Sequence, residues 1–178
     1  KVGILDLGFK GYLSLKSAGE LPSNVTTRSF RADGLIEGPD SWDDVTRVHG
    51  AACAEVVHDM APGAKLYLVN FNTDVEHHNA VDWLVDEARV DVISYSVGWT
   101  NAGDGRGTGP INDDVKSAAQ KGVVWAGSAG NYALDHWEGT FQDTDGDGWH
   151  NFTPADEILN WSVSAFDDVS AWLSWDDF

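Results

Sequence analysis

Apolar positions along the chain fall into two alternating rhythms. Val2-Gly3-Ile4-Leu5 is a short apolar run ending in Asp6-Leu7-Gly8, and it reads as a buried strand over residues 1–7. Residues 8–47 are rich in Gly, Ser, Thr and Asp, with Phe30 and Trp42 as scattered anchors. They predict a helical turn or two, a short strand near residues 25–30 and a long surface loop. Then Ala52, Cys53, Val56, Val57 and Met60 recur at the spacing of one buried helical stripe. His49 falls on the same face, at the expected first turn of that helix, and Gly50 beside it leaves room for another backbone or a ligand to come close. Pro62-Gly63 stops the helix, and residues 66–71 alternate as a second strand.

Thr73 and Glu76 have the spacing of a capping box, and Val81, Leu84, Val85 and Ala88 give the helix they open its apolar face. His77 and His78 fall near its polar start. Neighbours on a helix point about 100° apart, so the pair is expected in solvent rather than on one metal ion. Residues 90–96 form a third core strand, followed by a Gly-rich loop over residues 101–109. Asn112 is expected to cap a helix that Lys121-Gly122 ends, and residues 123–126 form a further strand leading into Gly127-Ser128-Ala129-Gly130-Asn131. Strand and helix in alternation imply right-handed crossovers and a three-layer α/β fold, a parallel sheet covered on both faces. Asp6, Ser96-Val97-Gly98 and Asn131 then meet at the edge made by strand carboxyl ends, where such sheets bind ligands. Alone, Asp6 also reads as a turn cap.

Composition narrows the function. The 178 residues carry a formal net charge of −18. That charge argues against nucleic acid or an anionic membrane as partner, because phosphate attraction needs a basic surface. It suits cation binding or a highly soluble secreted enzyme. No apolar run approaches the ~18–20 residues of a membrane span. The single cysteine excludes an internal disulfide and a cysteine-rich zinc site. The chain opens directly on a core strand, so upstream sequence is expected to have been removed.

Beyond Asn131 the character changes. Asp143, Asp145 and Asp147 alternate with Thr144, Gly146 and Gly148, and Trp149, His150 and Asn151 follow. This is the first half of an EF-hand-like calcium loop, with side-chain oxygens at positions 1, 3 and 5, a carbonyl at position 7, here Trp149, and Asn151 as a further donor. Position 12 is Pro154 rather than Glu, which excludes a complete EF-hand; Asp156 or Glu157 could close the shell. A solvated acidic turn is the other reading. Residues 161–166 and 171–175 look like strands of a β-rich segment. The expected division is therefore residues 1–135, an acidic loop over 136–157, and a β-rich segment over 158–178.

Four pieces together resemble the subtilisin-like serine proteases. Ile4-Leu5-Asp6-Leu7-Gly8 is similar to the family's aspartate motif, and His49-Gly50-Ala51-Ala52-Cys53-Ala54 to its histidine motif. Val92-Ile93-Ser94-Tyr95-Ser96-Val97-Gly98 resembles the strand lining the substrate cleft, and residues 123–131 resemble the segment ending in the oxyanion-hole asparagine. The resemblance covers roughly residues 1–135 and implies catalytic roles for Asp6, His49 and Asn131. It also implies a peptide-binding role for Ser96, Val97, Gly98, Ser128, Ala129 and Gly130, with a polypeptide as substrate. Cys53 matches the thiol-containing branch of the family, but reads first as a small buried apolar residue. Trp99 walls the cleft or is simply packed. Ala52 stands where the family has a second histidine, and the nucleophile motif Gly-Thr-Ser-x-Ala occurs nowhere. The resemblance thus implies part of an extracellular or cell-surface serine endopeptidase, truncated at both ends. The serine would lie in the remaining part of the catalytic domain, so these residues alone are expected to be inactive. The alternative is a catalytically inactive, calcium-stabilised binding module on the same fold. A nucleotide-binding α/β domain is weaker still, since no Gly-x-Gly-x-x-Gly or phosphate-cradling lysine loop occurs.

Overall fold

In the computed structural model the described residues are 1–100, 102, 106–132, 136–160, 162, 164 and 170–173. They form two compact units, Lys1–Gly130 and Asn131–Leu173. The first contains β1 (Val2–Asp6), α1 (Tyr12–Ala18), β2 (Thr26–Ser29), α2 (Asp44–Met60) and β3 (Leu66–Asn70). It continues with α3 (Asp74–Asp82), which runs on through a π-helical turn (Trp83–Glu87), then β4 (Val92–Tyr95), α4 (Pro110–Gln120) and β5 (Val124–Gly127).

The five strands make one parallel sheet in the order β2-β3-β1-β4-β5. Successive side chains of a strand point to opposite faces, and the two cores divide accordingly. Ile4, Leu66 and Leu68 pack with Phe9, Leu21 and Ala54 on the α1–α2 side. Leu5, Tyr67, Val69, Ile93 and Tyr95 pack with Ala80, Val81, Leu84 and Ala118 on the α3–α4 side. The sheet is thus covered on both faces, as the alternation of strands and helices predicts. The connection from β3 to β4 crosses β1, so the carboxyl ends of β3, β1 and β4 flank the point where the winding changes side.

Three expectations are corrected. Helix α2 begins at Asp44, with the Asp43 side chain accepting from Thr46 N, so His49 lies in its second turn rather than its first. Its buried residues are Arg47, Gly50, Ala51 and Ala54, while Val56 and Met60 are 63% and 83% exposed. Small residues were selected because the helix lies close against the sheet, and hydropathy does not register them. Second, α4 starts at Pro110, whose fixed φ suits the first helical position; Asn112 lies inside that turn and donates to Thr108 O. Third, His77 is fully buried, although the side chain of His78 is 58% exposed. His77 precedes Ala80, Val81 and Leu84 by three, four and seven residues, and so belongs to their stripe.

In the second unit, Thr153 and Asp156 form an isolated antiparallel bridge. Of the runs expected as β-rich, residues 161, 163, 165, 166, 174 and 175 lie outside the described residues. Ser162, Ser164 and residues 171–173 are not in strands. Within the Gly-rich loop, residues 101 and 103–105 are likewise outside the description.

Candidate active site

The site begins with two glycines. Gly50 N donates to Gly8 O at 3.1 Å, so α2 meets the chain just after β1 backbone to backbone. A Cβ on Gly50 would lie 2.6 Å from Gly8 O and 2.8 Å from Asp6 Cβ; one on Gly8 would lie 3.0 Å from Arg47 Cα. No other residue type allows this approach without displacement. It puts His49 Nδ1 2.8 Å from Oδ2 of Asp6, the last residue of β1. A carboxylate only accepts, so Nδ1 carries the hydrogen and Nε2 is left with its lone pair. The Asp6 side chain is buried and also accepts from Leu7 N at 2.8 Å, whereas the His49 side chain is 42% exposed. Burial pushes the Asp6 carboxyl above its ordinary pKa, against the opposing pull of His49 and the backbone donors of Leu7 and Gly8.

Cys53, one turn further on, brings its sulfur to 3.9 Å from His49 Nδ1. Asp6, His49 and Cys53 therefore offer three donor atoms close enough for one metal ion. The chemistry fits poorly, since Nδ1 already serves Asp6. Burial and the Asp6 charge also push the Cys53 thiol up, with a hydrogen bond from Ser96 opposing them, so the sulfur is held as a thiol.

A cleft of about 330 Å³ opens over the carboxyl ends of the three central strands. Leu7 enters from β1, Phe71 and Asn72 from β3, Val97, Gly98 and Trp99 from β4, and Trp42, Asp43 and Thr46 from the start of α2. Trp99 both packs and lines the cleft: it stacks on Phe71 and donates to the Tyr95 hydroxyl. The segment after β5 runs alongside, for Tyr95 pairs with Gly127 and Ser128 N donates to Tyr95 O at 3.0 Å. Ser96–Gly98 and Ser128–Gly130 thus leave neighbouring strands at one edge. A buried carboxylate bonded to a half-exposed imidazole, two strand-end segments and a cleft coincide there. The model of the subtilase family matches residues 1–169. The chain belongs to the subtilase family. No curated protein matches it.

Three parts of this subtilase's site escape a local reading of the sequence. Asn70 is fully buried opposite Asp6, and its amide donates to Leu35 O at 2.8 Å, Ile36 O at 3.1 Å and Leu7 O at 3.3 Å. It ties the loop before α2 to the residue after Asp6. In that loop Arg31 is held by Asp33 through two hydrogen bonds and lies 4.3 Å over the Trp42 ring, while Arg47 pairs with Asp40 at 2.7 Å. Behind the cleft, His77 Nδ1 donates to Asp114 Oδ2 at 2.9 Å and His78 Nδ1 to Oδ1 at 2.6 Å. Burial pushes the His77 pKa down against the pull of Asp114, whereas the Asp114 bond raises that of His78. The Asn70 bonds to Leu35 and Ile36 and the His77 and His78 bonds to Asp114 join residues more than thirty positions apart in the chain.

The second unit has its own site. Oxygens of Asp143, Asp145 and Asp147 lie close enough for one cation. Asp143 accepts from the backbone of Gly146, Asp147 and Gly148, which wraps the loop round its carboxylate, and Gly146 and Gly148 take φ of +80° and +94°. Trp149 N donates to Asp147. Asn151 is buried, and its side-chain oxygen accepts from Thr144 N and Oγ1 at 2.7 and 2.9 Å, so it braces the loop. The Glu157 carboxyl is pushed up by desolvation and by the charges of Asp147, Asp145, Asp143 and Asp156. Asn131 is the first residue of this unit and is exposed.

Proposed function

We propose that the chain is part of a serine endopeptidase in which Asp6 and His49 are the acid and base of an Asp-His-Ser triad. The observation that carries this is the 2.8 Å bond between a buried carboxylate and a half-exposed imidazole at the carboxyl edge of a subtilase sheet. Asp6 fixes the tautomer and stabilises the imidazolium that forms when Nε2 takes the proton of the attacking serine. His49 then returns that proton to the leaving amine. Asn131 is assigned as the side-chain donor to the developing oxyanion. Ser96–Gly98 and Ser128–Gly130 would pair with the backbone of an extended polypeptide by strand addition. The cleft beside them, faced with Leu7, Phe71, Val97 and Trp99, suits an apolar substrate side chain.

On this reading the nucleophile is supplied by chain beyond these 178 residues, whose sequence contains no Gly-Thr-Ser-x-Ala motif. A serine-directed phosphonate is therefore expected to label the full-length protein and not this chain alone. Absence of labelling in both would favour the non-catalytic binding module.

The acidic loop is assigned a structural calcium ion. Three carboxylates on a backbone curled by two positive-φ glycines match a hard cation with a large coordination number. Asp143, Asp145 and Asp147 would hold it with the Trp149 carbonyl, and Glu157 lies within their field. This assignment agrees with a location outside the cell or at its surface, where calcium is abundant enough to fill a loop of modest affinity.

A further inference from the structure

His77 is fully buried, and the chemistry proposed above does not use it. Asp114 takes the hydrogen on its Nδ1, which fixes the plane and tautomer of the ring. Its Nε2 is then a bare acceptor, buried and without a hydrogen-bond partner among the described residues. Around it stand Phe71 from β3, Tyr95 and Trp99 from β4 and Trp125 from β5, with ring centroids 5.1 to 6.2 Å away. The imidazole is nearly perpendicular to Phe71 and Trp99, at 82° and 85°, and those two rings stack on each other at 5.9 Å and 19°. The same two rings form one wall of the cleft. A leucine would fill the space without burying a polar atom. An imidazole locked by a carboxylate adds orientation, at a cost in desolvation.

We infer that His77, clamped by Asp114, is a positioning residue that holds the Phe71–Trp99 wall and thereby sets the enzyme's preference for bulky apolar side chains in the cleft. The inference rests on the reading of that cleft as a peptide-binding site. It carries a pH dependence. A proton can add only at Nε2, where, among the described residues, it meets aromatic rings and no acceptor. The titratable groups facing the ring are Asp114 from α4, His78 from its own helix, itself paired with Asp114 and 3.5 Å from Asp82, and the Tyr95 hydroxyl from β4. Burial holds the Tyr95 phenol far above its ordinary pKa, so it stays neutral. Protonation of His77 therefore loosens the wall as the medium becomes acid.

The test uses full-length protein and two peptides, one with a bulky and one with a small apolar residue for the cleft. Their kcat/KM ratio cancels any effect of pH on the catalytic step, which both share. In the wild type the ratio is expected to fall below pH 6.5. In His77→Leu it is expected to drop by about tenfold or more, the discrimination a hydrophobic pocket draws between side chains, and to become independent of pH. His77→Asn, whose amide can still donate to Asp114, should restore part of the ratio. An unchanged ratio in His77→Leu, or an equal loss on both peptides, overturns the inference. If the wild type cleaves neither peptide, the protease reading fails instead, and near-ultraviolet circular dichroism decides the inference. An aromatic signal that titrates below pH 6.5 and disappears in Trp99→Phe supports the clamp; a pH-invariant signal overturns it.

Discussion

Asp6 is a carboxylate placed where a carboxylate is least comfortable. Burial raises its pKa above the unfolded value, so the folded state binds a proton more tightly than the unfolded chain does. The contribution to stability is present below the unfolded pKa and is lost as pH rises through the folded one. Asp6→Asn should therefore melt higher than the parent at pH 8, with the gap closing as pH falls below the folded pKa; thermal melts across pH read this directly. The same change presents an amide to His49 Nδ1 and selects the wrong tautomer. Activity of the full-length enzyme should drop by about 10⁴-fold, the cost of that substitution in a serine-protease triad. A gain in stability with a loss of function marks a residue kept for chemistry. At this scale the sequence was legible where the chemistry is local. An aspartate ending a core strand and a histidine beside a glycine can be read directly. His77 and Asn70 were not readable, because what justifies each lies across the fold: Asp114, and the carbonyls of the loop before α2.

Among the elements, α2 decides the site. Its face toward β1 is made of Gly50, Ala51 and Ala54, and the contact is closest at Gly50. Gly50→Ala adds one methyl where 2.6 Å is available, so the helix must shift. The expected cost is about 1–3 kcal/mol. A lower melting temperature and loss of the downfield Nδ1 proton resonance of His49 would show it; an unaltered resonance would contradict the close contact. The central strands β1 and β3 were readable because strands buried on both faces are apolar almost without interruption. The register of α2 was misread for the converse reason: its intimate face is nearly free of large apolar side chains, and Val56 and Met60 point to solvent. The capping box at Thr73 and Glu76 was readable because both halves lie within one turn.

For the whole molecule, the subtilase match over residues 1–169 runs through both compact units, the second of which carries the acidic loop. Calcium should raise the melting temperature, and Asp145→Ala should remove most of the gain; a melt indifferent to calcium would dismiss the ion. The spacing of the three aspartates and the glycines between them was readable, since a loop ligand set is contiguous in sequence. The bracing of that loop by Asn151 and Thr144 was not. The central claim is that Asp6 and His49 serve a serine supplied by further chain. Its most direct test is the rate of phosphonate labelling of full-length protein beside that of His49→Ala. The account predicts one labelled serine, mapped outside residues 1–178, and a rate lower by several orders of magnitude in the variant. Equal rates in the two proteins, or no labelled serine in the folded wild type, would contradict it.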